Sequence, residues 1–323
     1  EIALNTTPIK KKQWQWDLNF TYTRNRNKIV ELSPDVTSYI NLDGAANYGN
    51  YRIASVAKVG SDYGMLMSDS WIKTDEKTGK PVVGYTNKFR TVYYKRGGTV
   101  KEVGSMLPNF LGSLNSTLRW KDLSLYVLFD ARFGGYVASY NSRYATAYGF
   151  SGETEKYRKG MTWTSKYANA QDKVFTDGFI PDVVFDAGTI VTTPGGTNQD
   201  VSGMTYQEAY EKGYVEPAHL QSAAYFKNSW GTGVINDDWF KKINYIALRE
   251  ITLSYNVPTK ISSFIGAKNL SLSFTGRNLA YLLNTAPNHE NPESVRGTGA
   301  AQFRMRSFMP YTASYLFTLN ATF

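Results

Sequence analysis

The sequence predicts an all-β chain: part of a transmembrane antiparallel β-barrel whose long outer loops contain short helices. Three observations carry this. Apolar and polar residues alternate through several stretches of about ten residues. No uninterrupted apolar run approaches the ~18 residues of a membrane-spanning helix, and mean hydropathy is −0.39. The connections between alternating stretches fall into a short class and a long class.

The clearest geometry lies in residues 110–133. In its first half Phe110, Gly112, Leu114, Ser116, Leu118 and Trp120 form a largely apolar face, with Leu111, Ser113, Asn115, Thr117 and Arg119 between them. After Lys121-Asp122, Leu123, Leu125, Val127, Phe129, Ala131 and Phe133 alternate with Ser124, Tyr126, Leu128, Asp130 and Arg132. Strand side chains point alternately to opposite faces, and a two-residue turn sets Trp120 opposite Leu123, so both apolar faces coincide. Each arm has about eleven residues, near the ~9–11 of a tilted strand crossing a bilayer. Phe110, Trp120 and Phe133 put rings at the ends of that face. The hairpin alone suits a soluble sandwich with this face as core, or an outer-membrane barrel with this face on lipid and the other lining a wet lumen.

Ile2 and Leu4 alternate with Ala3 and Asn5 from the first residue, Glu1, so the chain is expected to begin inside a strand and to be a piece of a longer polypeptide. Residues 8–12 read as a short basic turn. The cleanest strand follows: Trp14, Trp16, Leu18, Phe20 and Tyr22 oppose Gln13, Gln15, Asp17, Asn19, Thr21 and Thr23. A polar loop covers 24–50, with turn signals at Asn25-Arg26-Asn27 and Ser33-Pro34-Asp35. Weaker strands are predicted near 51–59 and 65–73, joined through 60–64; 74–81 is a polar tip, and 82–104 fits no single period.

Residues 134–242 do not alternate and are predicted as a long outer loop region. Tyr136, Tyr140, Tyr144 and Tyr148 recur every four residues, which predicts one side of a helix. Thr205 to Glu208 has capping-box spacing ahead of a short helix that Gly213 ends. A connection of this length is abnormal inside a compact domain and usual on the outer face of a large barrel. Alternation returns with Ile251, Leu253, Tyr255 and Val257 against Glu250, Thr252, Ser254 and Asn256. A turn at 258–268 leads to Leu270, Leu272 and Phe274 against Ser271, Ser273, Thr275 and Arg277. After a loop with Pro287, His289 and Pro292, the last strand carries Tyr311, Ala313, Tyr315, Phe317, Leu319, Ala321 and Phe323 on one face.

Placing Phe323 at the periplasmic side, alternating strand directions put 8–12, 60–64, 121–122 and 258–268 on that side and every long connection outside. A sandwich gives no reason for such sorting. The reading is about nine wall strands, and since single-chain bacterial barrels close with even numbers, a preceding part is expected to supply more.

Five segments resemble the SusC/RagA-like, starch-utilisation-type TonB-dependent outer-membrane transporters. They are Leu107-Pro108-Asn109-Phe110 through Asn115-Ser116-Thr117 to Trp120-Lys121-Asp122-Leu123-Ser124-Leu125; Leu128-Phe129-Asp130 with Gly134-Gly135; Ile246-Ala247-Leu248-Arg249-Glu250-Ile251-Thr252-Leu253-Ser254-Tyr255; Thr275-Gly276-Arg277-Asn278-Leu279; and Leu319-Asn320-Ala321-Thr322-Phe323. Relatives often carry Gly, Asn and Pro before the central hairpin, where this chain has Gly104-Ser105-Met106-Leu107-Pro108. The resemblance implies the C-terminal part of a 22-stranded barrel closed by an N-terminal plug. It implies import of a glycan or peptide beneath a SusD-like surface lipoprotein, driven by the TonB complex through the N-terminal part. It also implies that the closing strand, with Tyr315, Phe317, Leu319 and Phe323, carries the signal for barrel assembly.

Enzyme chemistry is not expected. The chain has 323 residues, no Cys and two His, His219 and His289, neither with the spacing of a metal site. Asp172, Asp177, Asp182 and Asp186 offer carboxylates, but their spacing matches no Ca²⁺ loop; no cofactor is expected, with Ca²⁺ in the outer loops or on the lipoprotein the one alternative. The formal charge of +9 is scattered through loops and turns, so no nucleic-acid partner is expected. With 24 Tyr, 17 Phe and 7 Trp the chain is ring-rich, as membrane girdles require. Tyr136, Tyr140, Tyr144, Trp163 and Trp230 are the candidate substrate- or lid-contacting residues. Asn115, Arg119, Asp130, Arg132, Glu250 and Arg277 are the candidate lumen-facing polar residues, forming wall–plug contacts or a polar track.

Overall fold

The computed structural model describes residues 1–42, 53–88, 90–148, 150–152, 160–218, 235, 239–296, 299, 302–306 and 310–323. Seven long strands form one antiparallel meander in sequence order: β1 (Ile2–Lys10), β2 (Trp14–Thr23), β3 (Phe110–Trp120), β4 (Leu123–Ser139), β5 (Phe240–Val257), β6 (Asn269–Asn284) and β7 (Ser314–Thr322). The alternation explains this arrangement, because each of these strands has one apolar and one polar face, and only pairing in phase keeps like faces together. Trp120 pairs with Leu123 across Lys121-Asp122, and Trp14 pairs with Trp120, their rings stacked at 5.5 Å.

Within this face the apolar side chains are not covered. Leu253 is 50% exposed, Phe274 52% and Phe317 72%, and among the described residues no second sheet packs on them. Short connections join β1 to β2, β3 to β4 and β5 to β6 at one end, which is also where Thr322 of β7 pairs with Asn269. All three long connections leave from the other end.

Several expectations change. The count of about nine wall strands is not confirmed among the described residues: beside the seven long strands, the two further members of this sheet, Val295–Arg296 and Arg304–Met305, are two-residue pieces joined to the end of β4. Among the described residues β1 and β7 are edges and do not pair with each other, so the chain closes no barrel by itself. Ile53–Lys58 and Met65–Ser68 are strands, but they form a separate sheet with Tyr39–Asn41 and Lys101–Ser105. Their side chains are buried on both faces, and the 60–64 turn therefore belongs to a long connection and not to the short end. Pro8 does not break β1; Thr6 pairs with Leu18 and Ile9 with Trp16, and the bulge between them absorbs the missing N–H. The turn is confined to residues 11–13.

The region expected as loop from 134 to 242 is shorter, because β4 runs to Ser139 and β5 starts at Phe240. Gly134 and Gly135 account for the lost alternation: both have positive φ, 87° and 86°, at a bulge where Phe133 pairs with Asn244 and Tyr136 with Lys242. Beyond it β4 is buried on both faces at Val137, Ala138 and Ser139, and Val137 sits in one cluster with Ile243, Ala247 and Met305. A second cluster joins Tyr140, Phe240, Ile53, Leu66, Met106 and Phe303. A third lies wholly in the connections, where Val83, Val92, Phe185, Val191 and Tyr206 pack together. The predicted capping box is present: the Thr205 hydroxyl accepts from Glu208 N, and the Glu208 carboxylate accepts from Thr205 N, at the start of helix Tyr206–Glu211.

Gly135 tests the bulge directly. A Cβ there would lie 2.7 Å from the Met106 carbonyl oxygen, in a backbone conformation L side chains rarely adopt. Gly135→Ala is expected to cost on the order of 1–3 kcal/mol. Gly97→Ala, where an added Cβ meets nothing within 4 Å, is expected to cost nothing measurable. Guanidinium unfolding midpoints of the two variants check the difference.

Candidate functional site

On the polar face the side chains form two patches. Near the short end Arg119 Nη1 contacts Asp17 Oδ2 at 2.5 Å, Gln15 and Thr7 also donate to Asp17, and Asn115 Nδ2 donates to Asn19 at 3.5 Å. Toward the long-connection end Arg277 Nε donates to Glu250 Oε2 at 2.9 Å, and the Thr252 hydroxyl donates to the other oxygen of Glu250. Arg132 is turned onto backbone: it donates to the carbonyls of Gly134 and Met106, tying β4 to the segment before β3.

Asp130 belongs to a constellation that alternation alone does not show. Its partner is Arg249, which donates to Asp130 Oδ2 at 2.7 Å and, through both terminal nitrogens, to Glu293 at 2.6 and 2.7 Å. Strict alternation from Glu250 puts Arg249 on the apolar face. A bulge between Leu128 and Phe129 leaves Arg249 without an opposite residue and turns it to the polar side. The Tyr281 hydroxyl lies 2.7 Å from Glu293, the Tyr245 hydroxyl 3.4 Å, and the Tyr311 ring is 4.6 Å from that of Tyr281.

Glu293 is carried by residues 285–296, a strap that leaves β6 and lies back on the sheet. Its second anchor is Glu290, buried against the end of β4, where it accepts from Ser139, Asn141 and Ser142 at 3.3–3.4 Å. Asn288, in left-handed conformation, donates to the Ser142 hydroxyl, and Asn284 donates to the Glu290 carbonyl. The two glutamates titrate in opposite directions. Burial raises Glu290 above its ordinary value of 4.5, against the opposing hydrogen bonds from Asn141, Ser142 and Ser139. Burial also pushes Glu293 up, but the hydrogen bonds from Arg249 and Tyr281 and the charge of Arg249 outweigh it and hold Glu293 below 4.5.

Among the candidate aromatics, Tyr136 lies on β4 and packs at the edge of the cluster that holds Tyr140, so the four-residue repeat crosses from strand to helix and is not one helical side. Helix Tyr140–Ala147 places Tyr140 in the core, 4% exposed, with Tyr144 half-buried against it. Trp163 stacks on Phe175 at 4.7 Å and donates to Glu216. Trp230 and His219 lie outside the described residues. His289 sits in the turn 287–289 of the strap. Asp182 pairs with Lys80, and Asp186 with Lys73 and Lys95; among the described residues no group of three ligands is placed to hold a metal. Tyr315, Phe317, Leu319 and Phe323 are all exposed; Phe317 pairs with Phe274 and Leu319 with Leu272.

No family model and no curated protein matches the sequence. Solved structures do match: chains of the RagAB peptide importer in its open-open state (15% identity, TM-score 0.53) and its closed-closed state (17% identity, TM-score 0.54). The fold resembles part of these importer chains. The match covers 99% of this chain, which spans 28–29% of the length of those chains. Among the described residues the polar face and strap are held by charge pairing and hydrogen bonding.

Breaking the Arg249 pair leaves the partly exposed Asp130 and Glu293 without their cation, so Arg249→Ala is expected to cost about 1–3 kcal/mol. Because Glu293 is lowered, the stability it gives is complete above 4.5 and is lost as pH falls through its depressed value; Glu290, raised, disfavours the seat as pH climbs past 4.5. Acidification from pH 7 to below 4.5 is therefore expected to loosen the Glu293 end of the strap while the Glu290 end tightens. Hydrogen-exchange protection factors of 285–296 check this. Glu293→Gln is expected to lower protection at pH 7 and to remove the acid step, which belongs to another group if it survives.

Proposed function

We propose that the chain is the C-terminal portion of an outer-membrane β-barrel that imports a large nutrient, a peptide or a glycan, together with a SusD-like surface lipoprotein. One observation carries this reading: a face including Trp14, Leu125, Leu253, Phe274 and Phe317 stays exposed across the seven-stranded sheet while every long connection leaves from one end. Soluble monomers rarely leave more than a few hundred Å² of contiguous apolar surface in water. In lipid the same face is a wall, provided every backbone group is paired along closed ladders. The uncovered face also counts against a soluble glycan-binding sandwich, in which a second sheet would pack on it.

In this reading the short connections and the C-terminus are periplasmic and the long connections extracellular. The remaining wall strands, the plug and the contact with the TonB complex belong to the rest of the transporter. Likeness to peptide-importer chains supports a peptide as the first ligand class to test, and the SusC/RagA-like motifs support a lipoprotein partner. Arg249, Glu250 and their partners hold the lumen side, and the Glu290–Glu293 strap narrows it. Trp163 is proposed to meet ligand or lipoprotein, with Tyr136, Tyr140 and Tyr144 supporting the loop beneath; Tyr315, Phe317, Leu319 and Phe323 serve as the assembly signal.

Detergent extraction of membranes from cells that make the protein, followed by mass spectrometry of all co-purifying chains, is expected to recover plug-bearing sequence and a surface lipoprotein. A lone chain in the aqueous phase overturns the proposal. A structural barrel with no lipoprotein would appear as the detergent particle without the second chain. Phe274→Arg on the lipid face is expected to cost about 2–4 kcal/mol, and Ser273→Arg, one residue away on the lumen face, close to nothing. Folded fractions in lipid vesicles across a urea series check the contrast.

A further inference from the structure

We infer that residues 24–28 form a binding site for phosphorylated lipid headgroups at the outer end of the wall. The inference rests on the membrane-spanning reading above. On β2 the apolar face is carried by Trp14, Trp16, Leu18, Phe20 and Tyr22, and the last of these stacks on Phe110 at 5.3 Å, which stacks on Phe133 at 4.8 Å. This row of three rings closes the apolar band at the end from which the long connections leave. Past the end of β2 at Thr23 the chain continues with Arg24, Arg26 and Lys28. An apolar band, then a row of rings, then cations is the order of partners met on leaving a bilayer, from acyl chains through the interface to anionic headgroups.

The cations are free to bind. Arg24, Arg26 and Lys28 are exposed, have no carboxylate partner among the described residues, and line one open cleft of about 590 Å³ with Asn25 and Asn109; Asp62 is the single carboxylate in its wall. The cleft is also fixed in shape. Ile29 N donates to the Ser61 carbonyl at 3.0 Å, Gly60 N donates to the Ile29 carbonyl at 2.9 Å, and Asn27 Oδ1 accepts from Tyr63 N at 2.8 Å. Two guanidinium forks and an ammonium, flanked by amide donors, suit phosphate monoesters held in one plane, since each fork engages two oxygens.

The test uses the complete transporter in nanodiscs of phosphatidylcholine with and without bisphosphorylated lipid A, with retained lipid read by native mass spectrometry. Wild-type protein is expected to retain lipid A and to lose it when the same glycolipid is supplied without its phosphates, a comparison that needs no variant. The variant Arg24→Gln/Arg26→Gln/Lys28→Gln is expected to lose affinity on the order of a hundredfold, at about fivefold per charge at an anionic surface. Equal retention of the phosphorylated and dephosphorylated forms, or of lipid A by both proteins, overturns the site while leaving the barrel intact. Displacement of the lipid by dilute inorganic phosphate reassigns the cleft to a soluble phosphate and overturns the lipid source. Failure of the chain to enter the nanodisc overturns this inference and the membrane reading together.

Discussion

The hydrogen-bonded ladder between β4 and β5 is the constraint on which the remaining structure depends. It runs from Leu123 opposite Tyr255 to Ala138 opposite Phe240, and it does two jobs along its length. Its lower half is wall, with one face uncovered and the other polar. Its upper half carries the connections: Ala138 N donates to the Phe303 carbonyl, Ser139 N to that of Trp239, and Arg304–Met305 pairs parallel to the end of β4. A slip of one residue here would exchange the two faces of the wall and unseat the strap together, so the register is specified from both ends.

Irregularities in this ladder place the charges. An unbroken β5 would send Arg249 to the uncovered face, where on the proposed membrane reading a guanidinium costs about 2–4 kcal/mol. The bulge at Leu128 and Phe129 turns it inward, where it meets Asp130 from β4 and Glu293 from the strap. Those two carboxylates share one cation, and Tyr281 supplies the further donor that Glu293 requires. A register shift in the β5–β6 ladder leaves Leu282 of β6 without an opposite residue and brings Tyr281 opposite Ala247 and its ring beside Tyr245. One extra residue on β5 and one on β6 thus convert plain alternating strands into a seat for a segment that is distant in sequence.

Much of the wall was legible in the sequence, because a strand between two unlike environments writes its period into the side chains. β2, β3, β6, β7 and the lower half of β4 show this, as does the two-residue turn at Lys121-Asp122. The signal fails where the environments become alike. Ile53–Lys58 and Met65–Ser68 are buried on both faces, so their residues show strand propensity without saying which sheet they join. Past Gly134-Gly135 the same loss hides the last turn of β4, and four-residue spacing of tyrosines then mimics a helix across what is half strand. Arg249 was unreadable because a bulge leaves no residue-type signature there. Glu293 was unreadable because its partner is 44 positions away and nothing local marks the strap beyond Pro287 and Pro292. Pro8 misled for the opposite reason: a residue that usually ends pairing is here accommodated by an extra residue in the strand.

The apolar side chains of this chain obey two rules that no single solvent reconciles. In the connections they are buried to near completion: Val83, Val92, Phe185, Val191 and Tyr206 are each at most 1% exposed, in a core built from pieces far apart in sequence. In the wall the same residue types stand open, with Phe317 at 72% and Phe274 at 52%. A water-solvated protein able to build the first kind of core has no energetic reason to leave the second kind of surface, since each Å² of apolar area left wet forgoes about 25 cal/mol. The membrane reading proposed above resolves the conflict with two solvents. On that reading water surrounds the connections and drives their collapse, while hydrocarbon surrounds the wall and exerts no such drive, leaving its strands to be held by their ladders alone. On the same reading the boundary between the two regimes falls at the stacked row Tyr22, Phe110 and Phe133, and the first cation follows Tyr22 two residues later.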